Sequence, residues 1–143
     1  MMPSSKKLIV EYEFDFYLIG IVSPVREYKL AWLINKMLGI HLVKKPDLEI
    51  NFINNKLIIS NFKSGMEPRM YRLLKNQSVG EPAGKPYYLL PELKNFDFLL
   101  MISDESNTVV MDDLLENIRQ IPEVYYVMQT DLSQLDSKEN LIF

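Results

Sequence analysis

The chain contains no cysteine and a single histidine, His41. The first absence excludes a disulfide framework, a thiolate zinc site and a nucleophilic thiol. The second excludes a multi-histidine metal site and makes any Ser–His machinery depend on His41 alone. His41 follows the C-terminus of a predicted helix, where the dipole favours its charged form, and a structural role accounts for it. Neither GxGxxG nor GxxxxGK[ST] occurs, and Gly80 and Gly84 read as loop glycines. No apolar run approaches the ~18 residues of a membrane span, and no N-terminal segment has the layout of a signal peptide. The expected location is cytoplasmic, with no cofactor and no metal.

Charge of one sign is also scarce. Lys and Arg number 16 against 19 Asp and Glu, a net charge of −3. That balance favours solubility and argues against general affinity for phosphate backbones, leaving nucleic acid unsupported. What the chain has in number is aromatic residues, with eight Tyr and seven Phe, and these favour strands. Its 143 residues suit one domain, 1–143, with residues 1–6 expected to be disordered. The Gly-, Pro-, Ser- and Gln-rich stretch 76–86 reads as a mobile loop.

The stretch from Phe14 to Gly39 organises the rest. Leu8, Val10, Tyr12, Phe14, Phe16 and Leu18 alternate with Glu11, Glu13 and Asp15, the period-2 pattern of a strand with one buried face. Beyond Asp15 the second parity turns apolar at Tyr17, Ile19 and Ile21, which predicts cover on both sides. Ser23-Pro24 reads as an N-cap with proline at the first helical position, and Gly39 as the residue that ends the helix. Leu30, Leu33, Ile34 and Met37 form its sheet-facing stripe. On its other side stand Val25, Tyr28 and Trp32, for which three readings stay open: cover by another part of the chain, a subunit or partner contact, or a pocket wall.

Further on, Pro46-Asp47 signals a turn that delays the next strand. Leu48 to Phe62 then reads as an antiparallel hairpin turning at Asn54-Asn55. Arg69 to Lys75 has the imperfect alternation of an edge strand. Tyr87–Leu90 is predicted as a short strand and Phe96–Ser103 as a central one buried on both faces. Val110, Leu114, Ile118 and Ile121 give a second amphipathic helix that stops at Pro122, and Val124–Met128 return as a strand. The fold class is α+β: a mostly antiparallel sheet with two main helices on one face, a ferredoxin-like βαβ unit being one reading of the C-terminal half. The apolar end Leu141-Ile142-Phe143 is expected to dock, with the Tyr28/Trp32 face as one place for it.

The segment Leu90-Pro91-Glu92-Leu93-Lys94-Asn95-Phe96-Asp97-Phe98, with FDFYLIGIVS…YKLAWLIN and the SKENLIF terminus, resembles the IPExxxDY family of small bacterial proteins found mainly in the Bacteroidetes. Leu90 stands in place of Ile, Phe98 in place of Tyr, and four residues rather than three separate Glu92 from Asp97. Ile121-Pro122-Glu123 offers a second first half, but Val127-Met128 stand where Asp-Tyr would fall. The resemblance implies no reaction, ligand or functional residue.

Among candidate sites, Glu92 and Asp97 are a carboxylate pair that could do acid–base or ligand-binding work, against the plainer reading that each caps a turn or pairs with a cation. Glu11, Glu13 and Asp15 lie in a row, which suits a solvated face better than a converging cation site. Asp112 and Asp113 complement a helix dipole. Arg69, Arg72 and Lys75 around Tyr71 are the nearest approach to a basic strand for RNA. The leading expectation is an interaction domain without catalytic activity, self-associating or meeting another protein through Tyr28 and Trp32 or an edge strand. One alternative is a small-ligand binder or enzyme with a pocket between the 76–86 loop and Glu92, and another is an RNA-binding module.

Overall fold

The first strand, β1 (Tyr17–Val22), carries buried side chains on both faces, as its doubled apolar parity predicts. The fold is seen in a computed structural model that describes residues 15–51, 56–66, 68–79 and 87–143. Around β1 are arranged β2 (Val43–Asn51), β3 (Lys56–Met66), β4 (Arg69–Lys75), β5 (Phe98–Asp104) and β6 (Tyr126–Thr130). They form one sheet in the order β2-β3-β4-β5-β1-β6, and every pairing is antiparallel. The helices are α1 (Glu27–Leu38) and α2 (Met111–Arg119).

Because β5 and β6 both run antiparallel to β1, they run the same way on either side of it, with α2 between them in sequence. The antiparallel strand expected inside that strand–helix–strand connection is β1. Similarly, β1 and β4 flank β5, with α1 and the β2–β3 hairpin between them.

Both helices pack on one face. Leu30, Ala31 and Ile34 of α1 and Leu114, Leu115 and Ile118 of α2 share a core with Ile19, Ile21, Tyr71, Leu73, Phe98 and Leu100 of the sheet. The opposite face is covered by irregular segments: Leu89, Leu90, Leu135 and Leu141 pack on Leu18, Leu57, Ile59, Leu74 and Leu99. This second layer holds much of the backbone outside strands and helices, and one side chain organises it. Asn76 is fully buried; its amide accepts from Leu90 N–H at 2.9 Å and donates to the carbonyls of Leu93 at 2.9 Å and Phe96 at 3.1 Å.

Several local expectations are corrected. α1 starts at Glu27 with Arg26 as its N-cap, because Ser23 is engaged elsewhere: its hydroxyl donates to Glu123 O at 2.8 Å. Gly39 does end the helix, at φ 68°, its N–H bonded to Asn35 O. Met37 is exposed rather than on the sheet, and Ala31 takes a place in the stripe. Pro46-Asp47 does not delay β2 but forms a bulge inside it, where the register slips between Lys45 and Leu48. β4 is interior, between β3 and β5, so its imperfect alternation marks two differently covered faces and not an edge. Tyr87–Leu90 contributes a single bridge, Tyr88 to Gln77, because Leu89 and Leu90 are drawn onto Asn76. The chain end does dock, but Leu141 lies on the face opposite the helices. Expectations for residues 1–6, the strand before Phe14, Glu11 and Glu13, the Asn54-Asn55 turn, and Gly80 to Pro86 fall outside the described residues.

Candidate functional site

The chemistry-bearing residues singled out from the sequence are dispersed, each with its own local task. Glu92 is the middle residue of a short 3-10 turn, Pro91–Leu93, and its carboxylate accepts from Ser137 N–H at 2.9 Å and from the Ser137 hydroxyl. Burial pushes the Glu92 pKa up, but those hydrogen bonds outweigh it and hold the group below the usual carboxylate range. Asp97 precedes β5 and accepts from Ser23 N–H at 2.9 Å, where β1 ends. Each carboxylate thus ties together segments far apart in sequence, Glu92 to the C-terminal tail and Asp97 to the end of β1. The expected pocket beside Glu92 would be walled by 80–86, outside the described residues.

The basic strand is divided by its own geometry. Arg69 bonds the Thr108 hydroxyl and lies 3.7 Å from Asp104. Lys75 is 3.7 Å from Glu27 of α1 and 5.6 Å from the Phe98 ring centroid. Arg72, of the other parity, lies on the opposite face over the Phe143 ring, and Tyr71 is buried. The three cations share no surface. His41 is exposed, and among the described residues it is engaged through its backbone N–H, which donates to Ser64 Oγ at 2.8 Å. Among the described residues no group of three His, Cys, Asp or Glu is placed to hold a metal ion, and no helix is long and apolar enough to cross a membrane.

Tyr28 and Trp32 stand one turn apart on the outer side of α1, 64% and 55% exposed. Nothing among the described residues covers them beyond Lys36, whose Nζ lies 4.5 Å from the Trp32 ring centroid. The apolar chain end does not supply that cover, since Leu141 packs on the far face; the three readings, cover by another part of the chain, a partner contact and a pocket wall, stay open.

A second exposed surface was missed from the sequence. β6 lies at one end of the sheet and pairs only with β1 among the described strands. Its alternation puts Val127 into the helix-side core and leaves Tyr126 and Met128 exposed, next to an exposed Tyr125. The run from Tyr125 to Thr130 carries no charge. At the other end β2 is protected by Lys44, Lys45, Pro46 and a bulge, all devices that blunt an edge. The sequence signal was the uncharged run itself, but only the strand order makes it an edge.

Compared with models of known protein families the chain matches none, and no curated protein matches it.

Proposed function

We propose that the chain is an interaction domain, without catalytic activity of its own, that pairs with a second copy through the outer edge of β6. The observation that carries this reading is the contrast between the two ends of the sheet. A bare strand edge presents unpaired backbone N–H and C=O groups, which another extended strand satisfies well. A second copy of β6 suits it because antiparallel self-pairing sets the strand against itself, and an uncharged run does so without like-charge repulsion. Tyr126 and Met128 add side-chain area that a short strand pair needs beyond its hydrogen bonds. Tyr28 and Trp32 support the same general reading as anchors for a further contact on the helix side.

The small-ligand reading beside Glu92 has less support, because that carboxylate is occupied by Ser137. The RNA reading has less support because the cations are spread over two faces.

Sedimentation velocity over a range of protein concentrations tests the proposal. A dimer is expected that Met128→Lys combined with Gln129→Lys dissociates while the circular dichroism spectrum is kept. A monomer at every concentration overturns self-pairing. A dimer that Trp32→Ala dissociates and the β6 variant leaves intact moves the contact to α1.

A further inference from the structure

The sheet face opposite the helices carries two cations that form no ion pair with an acidic side chain among the described residues. Lys63, Arg72 and Met101 are directly opposite one another on β3, β4 and β5, so their side chains stand in one row on one face. Like charges at directly opposed positions destabilise a sheet unless something lies between them. The ion pairs among the described residues engage Lys44, Lys56, Arg69, Lys75 and Arg119, but neither Lys63 nor Arg72. The arginine side chains that hydrogen-bond among these residues are Arg69 and Arg119. Arg72 has the Phe143 ring, 5.0 Å from centroid to guanidinium, and its fork donates no hydrogen bond to a side chain or carbonyl among the described residues. Its partial burial lowers its pKa by withdrawing the charge from water.

These cations border a cleft of about 230 Å³ whose other walls include Phe16, Met101, Ser103 and Phe143. The volume is at or below the lower end for small-molecule sites, and the lining residues are apolar apart from the two cations, Ser103 and Tyr71, the last of which belongs to the helix-side core. A sugar or nucleotide would find too few partners for its hydroxyls there. A planar carboxylate matches the guanidinium fork, and an apolar tail matches the aromatic and methionine walls.

We propose that this cleft binds an organic monocarboxylate with a short apolar tail, the carboxylate between Lys63 and Arg72 and the tail against Phe16, Met101 and Phe143. The site lies on the face away from the helices, and the inference is independent of pairing through β6.

Octanoate is the probe, read by NMR on protein carrying carbon-13 in its methionine methyl groups, where Met70 and Met101 report on the cleft directly. Saturable shifts at those two residues are expected, with 1-octanol binding at least about tenfold more weakly because it lacks the charge-assisted bonds. Arg72→Gln is expected to weaken octanoate at least about tenfold while keeping the melting temperature, since it also relieves the repulsion with Lys63; Lys63→Gln does the same to a smaller degree. Equal affinity for octanol and octanoate overturns the proposal, as do the absence of saturable shifts and shifts confined to other methionines. Preference for inorganic phosphate over octanoate overturns it too. If Arg72→Gln fails to fold, Lys63→Gln and the octanol comparison on the unaltered protein decide.

Discussion

The side chain of Asn76 binds Leu90 at both of its backbone groups, accepting from its N–H at 2.9 Å and lying 3.5 Å from its carbonyl oxygen. The backbone of Asn76 is also engaged, its N–H with Asp97 O and its carbonyl with Leu89 N–H. A buried irregular segment has no ladder to satisfy its polar groups, and a single amide supplies what a strand partner would have. Asn76→Leu keeps the bulk and removes every side-chain bond, leaving the Phe96 carbonyl and the Leu90 N–H buried without those partners, while the Leu93 carbonyl keeps the Phe96 N–H. A loss of about 3 kcal/mol in urea unfolding is expected. Asn76→Asp keeps the acceptor but buries a carboxylate against the carbonyls of Leu93 and Phe96, and should cost at least as much at neutral pH.

Asn76 also marks where the sequence stopped being legible. β1, α1, the 48–62 pairing, β5 and α2 follow from period, since alternation and helical spacing are local properties of the chain. The layer over the second face does not, because Leu89, Leu90, Leu135 and Leu141 have no period, and one Asn in a polar stretch reads as loop. Placement of β4 inside the sheet and β6 at its edge depends on pairings between distant strands, which no local pattern encodes. For the same reason Lys63 and Arg72 could not be seen as neighbours: the sequence pattern ends the hairpin at Phe62 and reads 63–68 as a loop, whereas β3 runs on to Met66 and sets Lys63 opposite Arg72. Tyr28 and Trp32 were legible, because an aromatic pair on the wrong side of a helix is a local anomaly.

Gly20 lies in β1 beneath the ring of Phe96. A Cβ at Gly20 would stand 2.6 Å from Phe96 Cδ1, and the ring is buried and stacked on Tyr126 with centroids 6.1 Å apart. The ring therefore has little freedom to give way. Gly20→Ala is expected to destabilise by roughly 1–3 kcal/mol through overpacking. Phe96→Ala costs stability alone but opens the space, so the double variant should be more stable than the sum of the two losses predicts. Strict additivity in a double-mutant cycle would show that the close approach is not what Gly20 provides.

Asp104 gathers the turn between β5 and α2. Its carboxylate accepts from the Ser106 hydroxyl and from the backbone N–H groups of Ser106, Thr108 and Val109, and these bonds, the hydroxyl's first, bring its pKa down to about 2 from an ordinary 3.8. The folded protein therefore binds this proton less readily than the unfolded chain. Asp104 contributes its full stabilisation above about pH 4, and the contribution is lost as pH falls towards 2. Urea midpoints between about pH 6 and pH 2 should fall more steeply for the unaltered protein than for Asp104→Asn. Parallel curves would mean that the turn does not depend on the charge.

Glu92 offers the last test, because it joins the stretch that carries the family resemblance to the tail that covers the second face. Its bonds to Ser137 are reinforced by Asn140, whose amide donates to Leu89 O at 2.7 Å, and between them Leu135 and Leu141 are buried. These bonds are exposed, so Glu92→Ala should cost only on the order of 0.5–1 kcal/mol globally. Its local effect should be larger. Hydrogen exchange at residues 137–142 is expected to accelerate while the β1 and β5 amides keep their protection, since a tail held at a few points opens as a unit. Leu141 and Phe143 also wall the cleft beside Arg72, so the same variant should weaken octanoate although Glu92 lies outside the lining. Unchanged exchange in the tail would mean that apolar docking of Leu135 and Leu141 alone holds it, and that Glu92 is free for some other task.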